Sequence, residues 1–218
     1  MRTITKLAPL ALALALPLTF AGSGVAVASS GNATANLLPV PLNGSHASGT
    51  ASVTVHGNRI DVSVDVRNIL ANNPHAAHIH FGADALHECP TAAADVDGNG
   101  HINTTEGAPS YGPVTVALTT SGDTSPASTL AIDRYSTAPG GNINYARGHI
   151  KVSKAVARAI LASQAVIVIH GNDYNDDGVY DGAEKSDLDS SLPTEATDPN
   201  LCGVLHGSPR GGGAGGRS

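Results

Sequence analysis

Two neighbouring stretches alternate apolar and polar residues. Ala51, Val53 and Val55 are interleaved with Ser52 and Thr54, and Ile60, Val62, Val64 and Val66 with Asp61, Ser63 and Asp65. A period of two puts the apolar set on one face, so both stretches read as half-buried strands. Gly57-Asn58 between them is a two-residue turn signal that makes the pair a hairpin. Short apolar runs follow at Ala76–Phe81, Pro113–Thr120, Ser128–Tyr135, His149–Val152, Ala165–His170 and Leu201–Leu205. About eight short strands predict an all-β fold, a Greek-key barrel or sandwich. One helix is predicted over Lys154–Ser163, with Ser153 as its N-cap and Val156, Ile160 and Leu161 on one face.

The two ends read differently. Arg2 and Lys6 precede the apolar run Leu7–Phe20, and small residues lead to Ala26-Val27-Ala28. That is the pattern of an export signal over residues 1–28, too short and proline-broken to span a bilayer. The expected protein is therefore secreted, with one domain over 29–206. A Gly-rich flexible tail is expected over 207–218. In an oxidising compartment the two cysteines, Cys89 and Cys202, are expected to pair.

The chain of 218 residues has 12 Lys and Arg against 18 Asp and Glu, and its only aromatics of the stacking kind are two Phe and five Tyr. It has neither the charge to neutralise phosphates nor the platforms to stack bases, so nucleic acid is not an expected partner. No G-x-S-x-G elbow, H-E-x-x-H helix or phosphate-cradling loop points to a hydrolase.

Histidine carries the candidate chemistry. His78 and His80 flank Ile79 within a strand, so both imidazoles project from one face and can share a metal ion. His170 ends the run Ala165–Ile169 and supplies a third imidazole if that strand lies alongside. Nitrogen-rich sites favour late first-row metals, with Cu(II) at the top of the affinity order.

The segments carrying these residues resemble the copper/zinc superoxide dismutase family. HAAHIHFGADALHEC (75–89) is similar to its copper-binding strand and first disulfide cysteine, and AVIVIHGNDYNDDG (165–178) to the strand ending in another copper histidine. NLCGVL (200–205) is similar to its last strand, which bears the partner cysteine. LNGSHASGTASVTV and VRNILANNPHAAHIH resemble the first hairpin of that barrel, so the likeness runs from Leu37 to Leu205. It extends equally to the chordin-type (CHRD) domain of secreted proteins. The resemblance implies a copper-only site of His78, His80 and His170, acting catalytically on superoxide. The HIN segment resembles the family's bridging position and adds His101 as a fourth copper ligand. The resemblance also implies a Cys89–Cys202 bridge. In the loop-entropy model such a bridge is worth about 4–5 kcal/mol.

Two departures bear on function. No histidine occurs between His101 and His149, so a zinc site is not expected. Pro199 stands where the family has its arginine, three residues before the last cysteine, which removes the cation that orients the anion. The alternative of a different class is a noncatalytic CHRD-type module for an unidentified extracellular ligand. The other histidines, His46, His56, His75, His87, His149 and His206, read as exposed or locally hydrogen-bonded.

Spacing alone suggests two calcium loops. Asp95, Asp97, Asn99, the His101 carbonyl, Asn103 and Glu106 fit the twelve-residue EF-hand loop, with Gly100 at the bend. Asp173, Asn175, Asp177, the Val179 carbonyl, Asp181 and Glu184 fit it again, with Gly178 at the bend. Alternating oxygens suit a hard cation, glycine allows the sharp turn, and a final Glu chelates through both oxygens. No flanking helices are expected, so these read as loops inside β connections.

Overall fold

The computed structural model describes residues 30–209. The expected export signal and residues 210–218 of the expected tail lie outside them. The fold is all-β. In chain order the strands are β1 (Ser30–Pro39), β2 (Ser48–His56), β3 (Arg59–Arg67), β4 (Ala77–His80), β5 (Val114–Ala117), β6 (Asn142–Lys151), β7 (Val166–His170), β8 (Pro199–Val204) and β9 (His206–Pro209). Two helices, α1 (Thr104–Tyr111) and α2 (Lys154–Leu161), complete the elements. Eight strands run β5-β4-β7-β8-β1-β2-β3-β6 across one curled sheet, and β9 pairs with β1. β3 lies beside β6 and not beside β4, so the chain crosses over the barrel end as a Greek key does.

Alternation builds this sheet. β2 and β3 pair in register from His56↔Arg59 to Ser48↔Arg67, and Val53, Val55, Ile60, Val62, Val64 and Val66 enter the main core. β1 bends between the two halves: most of it pairs with β2, while Leu38 and Pro39 pair with Cys202 and Leu201 of β8. The two ends of the sheet, β5 and β6, are joined by side chains rather than by a ladder. Arg147 of β6 donates to Thr119 O (2.6 Å) and Gly122 O, and Tyr145 donates to Thr119 O at 3.3 Å.

β7 and β8 are buried on both faces. Ile167, Ile169 and Leu201 pack with Ile79 into the barrel interior. Val166, Val168 and Cys202 face the other way into a smaller cluster with Val40, which follows β1, and with Ile102 and Tyr111, which α1 and its preceding loop provide. Cys89 and Cys202 are joined in a disulfide. α2 forms as expected, with Ser153 Oγ accepting from Val156 N.

Three expectations change. Ser128–Tyr135 is not a strand but a run of 3-10 turns. Its side chains close local hydrogen bonds: Ser128 Oγ donates to Asp123, Thr129 Oγ1 to Pro126 O, and Arg134 Nη2 to Ser128 Oγ. Polar groups bonded so locally compete with ladder formation. Residues 207–209, expected as part of the tail, belong to a strand, because His206–Pro209 pairs with β1. The first acidic loop does have a flanking helix: α1 starts at its tenth position, capped by Asn103 and Glu106 in a reciprocal capping box.

Candidate metal centre

The β4–β7 register brings the three histidines together. Ala77 pairs with Ile169 and His78 with Val168. His170 therefore lies one pair beyond, on the face of β7 that Val168 and Val166 share and on the same side as His78 and His80. Ile79, between them, points into the core and is fully buried. Ring centroids are 5.1 Å apart for His78–His170, 5.6 Å for His78–His80 and 6.1 Å for His80–His170. One donor nitrogen from each lies within 4.8 Å of the other two.

Loop carbonyls and a tyrosine fix each ring. His78 Nε2 donates to Tyr135 Oη at 2.9 Å and also faces Thr129 O at 3.1 Å. Tyr135 passes its own proton to Ser128 O at 2.8 Å, so its oxygen is the acceptor for His78. His80 Nδ1 donates to Gly112 O at 2.8 Å, and His170 Nδ1 to Thr197 O at 2.6 Å. Once those nitrogens hold the protons, the lone pairs sit on His78 Nδ1, His80 Nε2 and His170 Nε2. These three atoms are buried and have no hydrogen-bond partner. Leaving three buried acceptors unmet is costly unless a cation meets them. An outer partner on the second ring nitrogen is also how metal-binding imidazoles are oriented.

Burial keeps the rings neutral. Desolvation, followed by repulsion from His170, lowers His80 to about 3. Desolvation lowers His170 to about 4, and it lowers His78 well below the ordinary range, with His170 and His80 adding to the effect. Neutral lone pairs persist through any ordinary pH, as a metal ligand requires. Gly171, just after His170, has φ +104°, and a Cβ there would collide with the Tyr180 hydroxyl. That hydroxyl and the Leu70 and His170 carbonyls hold His75 locally, away from the cluster.

His101 is not brought into this cluster. Its Nε2 lies 3.4 Å from Glu184 Oε1 and 3.5 Å from Asp198 Oδ2. The expected fourth imidazole is thus turned to carboxylates, and three histidines form the group. Asp198 is itself buried, and desolvation raises it to about 7 although Tyr174 and Thr194 donate to it.

The two acidic loops share one hydrogen-bond plan. In the first, Gly98 N and Gly100 N donate to Asp95, Asn99 N to Asp97, and His101 N to Asn99. Val96 N and Asn103 N donate to Glu106 Oε1 and Oε2 at 2.9 and 3.0 Å. Oxygens of Asp95, Asp97 and Glu106 lie within 4.8 Å of one another, a group able to hold a metal ion.

In the second loop, Gly178 N donates to Asp173, Asp177 N to Asn175, and Val179 N to Asp177. Here the equivalent of Glu106 is not Glu184. Tyr174 N and Asp181 N, at loop positions two and nine, donate to Glu195 Oε1 and Oε2 at 2.9 and 2.7 Å. Glu195 is 4% exposed, while Glu184 reaches toward Asn99 and His101 of the first loop. Sequence spacing ends at the twelfth position and cannot see a carboxylate eleven residues beyond it.

The sequence also missed the carbonyls of Gly112 and Thr197, which lie in loops without a pattern of their own, and the role of Tyr135, which ends the run expected as a strand and found as 3-10 turns. Among the described residues no helix is long and apolar enough to cross a membrane. The chain matches no family model, and no curated protein matches it.

Proposed function

We propose that the chain is a secreted copper-binding protein of the superoxide-dismutase-like kind, with His78, His80 and His170 as its ligands. The observation that supports it most is the trio of buried, unpartnered nitrogens whose tautomers are already set. An all-nitrogen site fits copper best by intrinsic affinity. Bound copper supplies a one-electron couple between Cu(II) and Cu(I), the chemistry that superoxide dismutation uses. The chain's own contribution is to hold three neutral imidazoles without reorganisation and to keep water from their outer faces. The disulfide fits export to an oxidising compartment.

The metal-free protein should take up one Cu(II) per chain, with nitrogen hyperfine coupling from three imidazoles in its paramagnetic resonance spectrum. His78→Ala or His80→Ala should weaken binding by at least about a hundredfold, and Tyr135→Phe by about tenfold through loss of an outer partner. Copper taken up without fixed stoichiometry, or indifferently to His78 and His170, would refute the assignment. A noncatalytic CHRD-type module is the second reading, favoured by the missing cation: Pro199 pairs with His170 at the end of β8, and no guanidinium replaces the family's arginine there.

We assign calcium to the two acidic loops as a structural ion. Each loop should stabilise the fold by about 2.7 kcal/mol at a hundredfold excess of calcium over its Kd. Glu106→Gln and Glu195→Gln should each remove one such share, whereas Glu184→Gln should remove little. Melting curves with calcium and with a chelator measure this, and a larger loss from Glu184→Gln than from Glu195→Gln would reverse the second assignment.

A further inference from the structure

Two side chains converge on one carbonyl. Thr197 O accepts from His170 Nδ1 at 2.6 Å and from Thr104 Oγ1 at 2.8 Å, which occupies both of its lone pairs. The first bond sets the tautomer of His170 and leaves Nε2 free for a metal. The second comes from the opening residue of α1, next to Asn103, whose capping box with Glu106 closes the first acidic loop. Thr104 and Thr197 are both buried, where such bonds are strong.

The second acidic loop reaches the same carbonyl by another route. Glu195 lies in the short turn Thr194–Ala196, which Thr197 caps by donating its N–H to Thr194 O at 3.0 Å. Glu195 fastens that turn to the loop three times. Its carboxylate accepts from Tyr174 N and Asp181 N, and its main-chain oxygen accepts from Asn172 N at 2.8 Å. Asn172 is two residues past His170, so the stem of the loop, the turn and the imidazole close into one ring of contacts.

Charge makes this brace conditional. Glu195 is buried, yet no cationic side chain pairs with it: among the described residues the ion pairs are His56–Asp61, His101–Glu184 and His101–Asp198. The loop that its carboxylate closes adds Asp173, Asp177 and Asp181. Amide donors alone offset a buried carboxylate poorly, and neighbouring like charges add repulsion. A hard cation among these oxygens reverses that balance.

We propose that Thr104 and Glu195 are positioning residues for His170, through which cation binding in the acidic loops and copper binding at the three histidines strengthen each other. This deepens the copper and calcium assignments above and rests on both. With a cation in the second loop, Glu195 stays fixed, the Thr197 carbonyl keeps its place and His170 is presented with Nε2 free. Without one, copper binding must also order the turn, which lowers the apparent affinity by the fraction of chains already in order. Linkage requires the converse, so copper tightens calcium by the same factor.

The test measures the Kd for Cu(II) by competition with free histidine, in calcium-saturated and in calcium-free protein, and the Kd for calcium by calorimetry with and without copper. Calcium should tighten copper by about tenfold, and copper should tighten calcium by the same factor. Thr104→Val, at a position that ligates neither ion, should cut that factor to about threefold, and Thr104→Ser should restore it. A side chain that only stabilised the fold would lower the melting temperature and leave the factor unchanged. Glu195→Gln should remove the share carried by the second loop. If both ions bind but neither alters the other's affinity, the coupling fails while both sites stand. A factor untouched by Thr104→Val and by Glu195→Gln would overturn the route through the Thr197 carbonyl. If calcium does not bind, or copper binds at no fixed stoichiometry, that assignment fails and the coupling fails with it.

Discussion

The metal-free protein should lose stability steeply as pH falls from about 6.5 toward 4. His78, His80 and His170 are held neutral in the folded state, first by burial, with His80 at about 3 and His170 at about 4. In the unfolded chain they titrate near 6.5. Below that pH the unfolded state binds protons that the folded state refuses, so stability falls as pH falls. His75, lowered by burial as well, acts in the same sense. Asp198 acts in the opposite one. Its folded value is raised to about 7, so between 7 and 3.8 the folded state holds a proton the unfolded state lacks. The balance of four histidines against one aspartate is roughly 3–4 kcal/mol per pH unit at its steepest. Two pH units then approach the whole stability of an ordinary domain. Urea unfolding at pH 7, 6, 5 and 4 measures the slope. His80→Gln should flatten it by about 1.4 kcal/mol per pH unit, and a stability constant from pH 6.5 to 4 would contradict the burial argument.

Removing the disulfide should cost about 4–5 kcal/mol, since the bridge spans a separation of 113 residues. That loop contains α1, β5, β6, α2 and β7, and with β7 His170 of the histidine cluster, while His78 and His80 on β4 precede it. Cys202 lies between Val168 and Leu38 in the sheet, so the bridge ties the Cys89 segment to the strand beside β7. Cys89→Ser with Cys202→Ser, compared with the parent by denaturant unfolding in excess calcium, reads the loss directly. A double variant within about 1 kcal/mol of the parent would show that the unfolded chain gains little freedom when the bridge is absent.

The sequence disclosed strands wherever large apolar residues alternate, as in β2 and β3. β1 alternates just as cleanly but buries Ala33 and Ala35, whose methyl groups give a weak signal. β6 was visible only at its end, because its earlier inward positions are Ile143 and Tyr145 amid polar neighbours. α1 was hidden by Gly107 and Pro109, both poor helix formers. Its capping box is present in the sequence, but Asn103 and Glu106 also occupy ion-ligand positions of the acidic loop, which masks it. The histidine triplet was legible because strand spacing fixes facing directions. His101 was not, because loop residues carry no such phase, and Glu195 reaches its loop only through the tertiary fold.

The side-chain seam between β5 and β6 sets how the barrel breathes. β5 has four residues and a ladder on one side only, and Arg147 and Tyr145 can release Thr119 without breaking any strand pairing. Backbone amides along this seam should therefore exchange early with solvent deuterium. β4 is one strand in from the seam and β7 two, and each is flanked by ladders on both sides. His78 and His80 therefore lie one strand nearer the seam than His170. On the copper-site reading, loosening this seam by Arg147→Ala should speed metal exchange without touching a donor atom, which transfer of copper to a chelator measures.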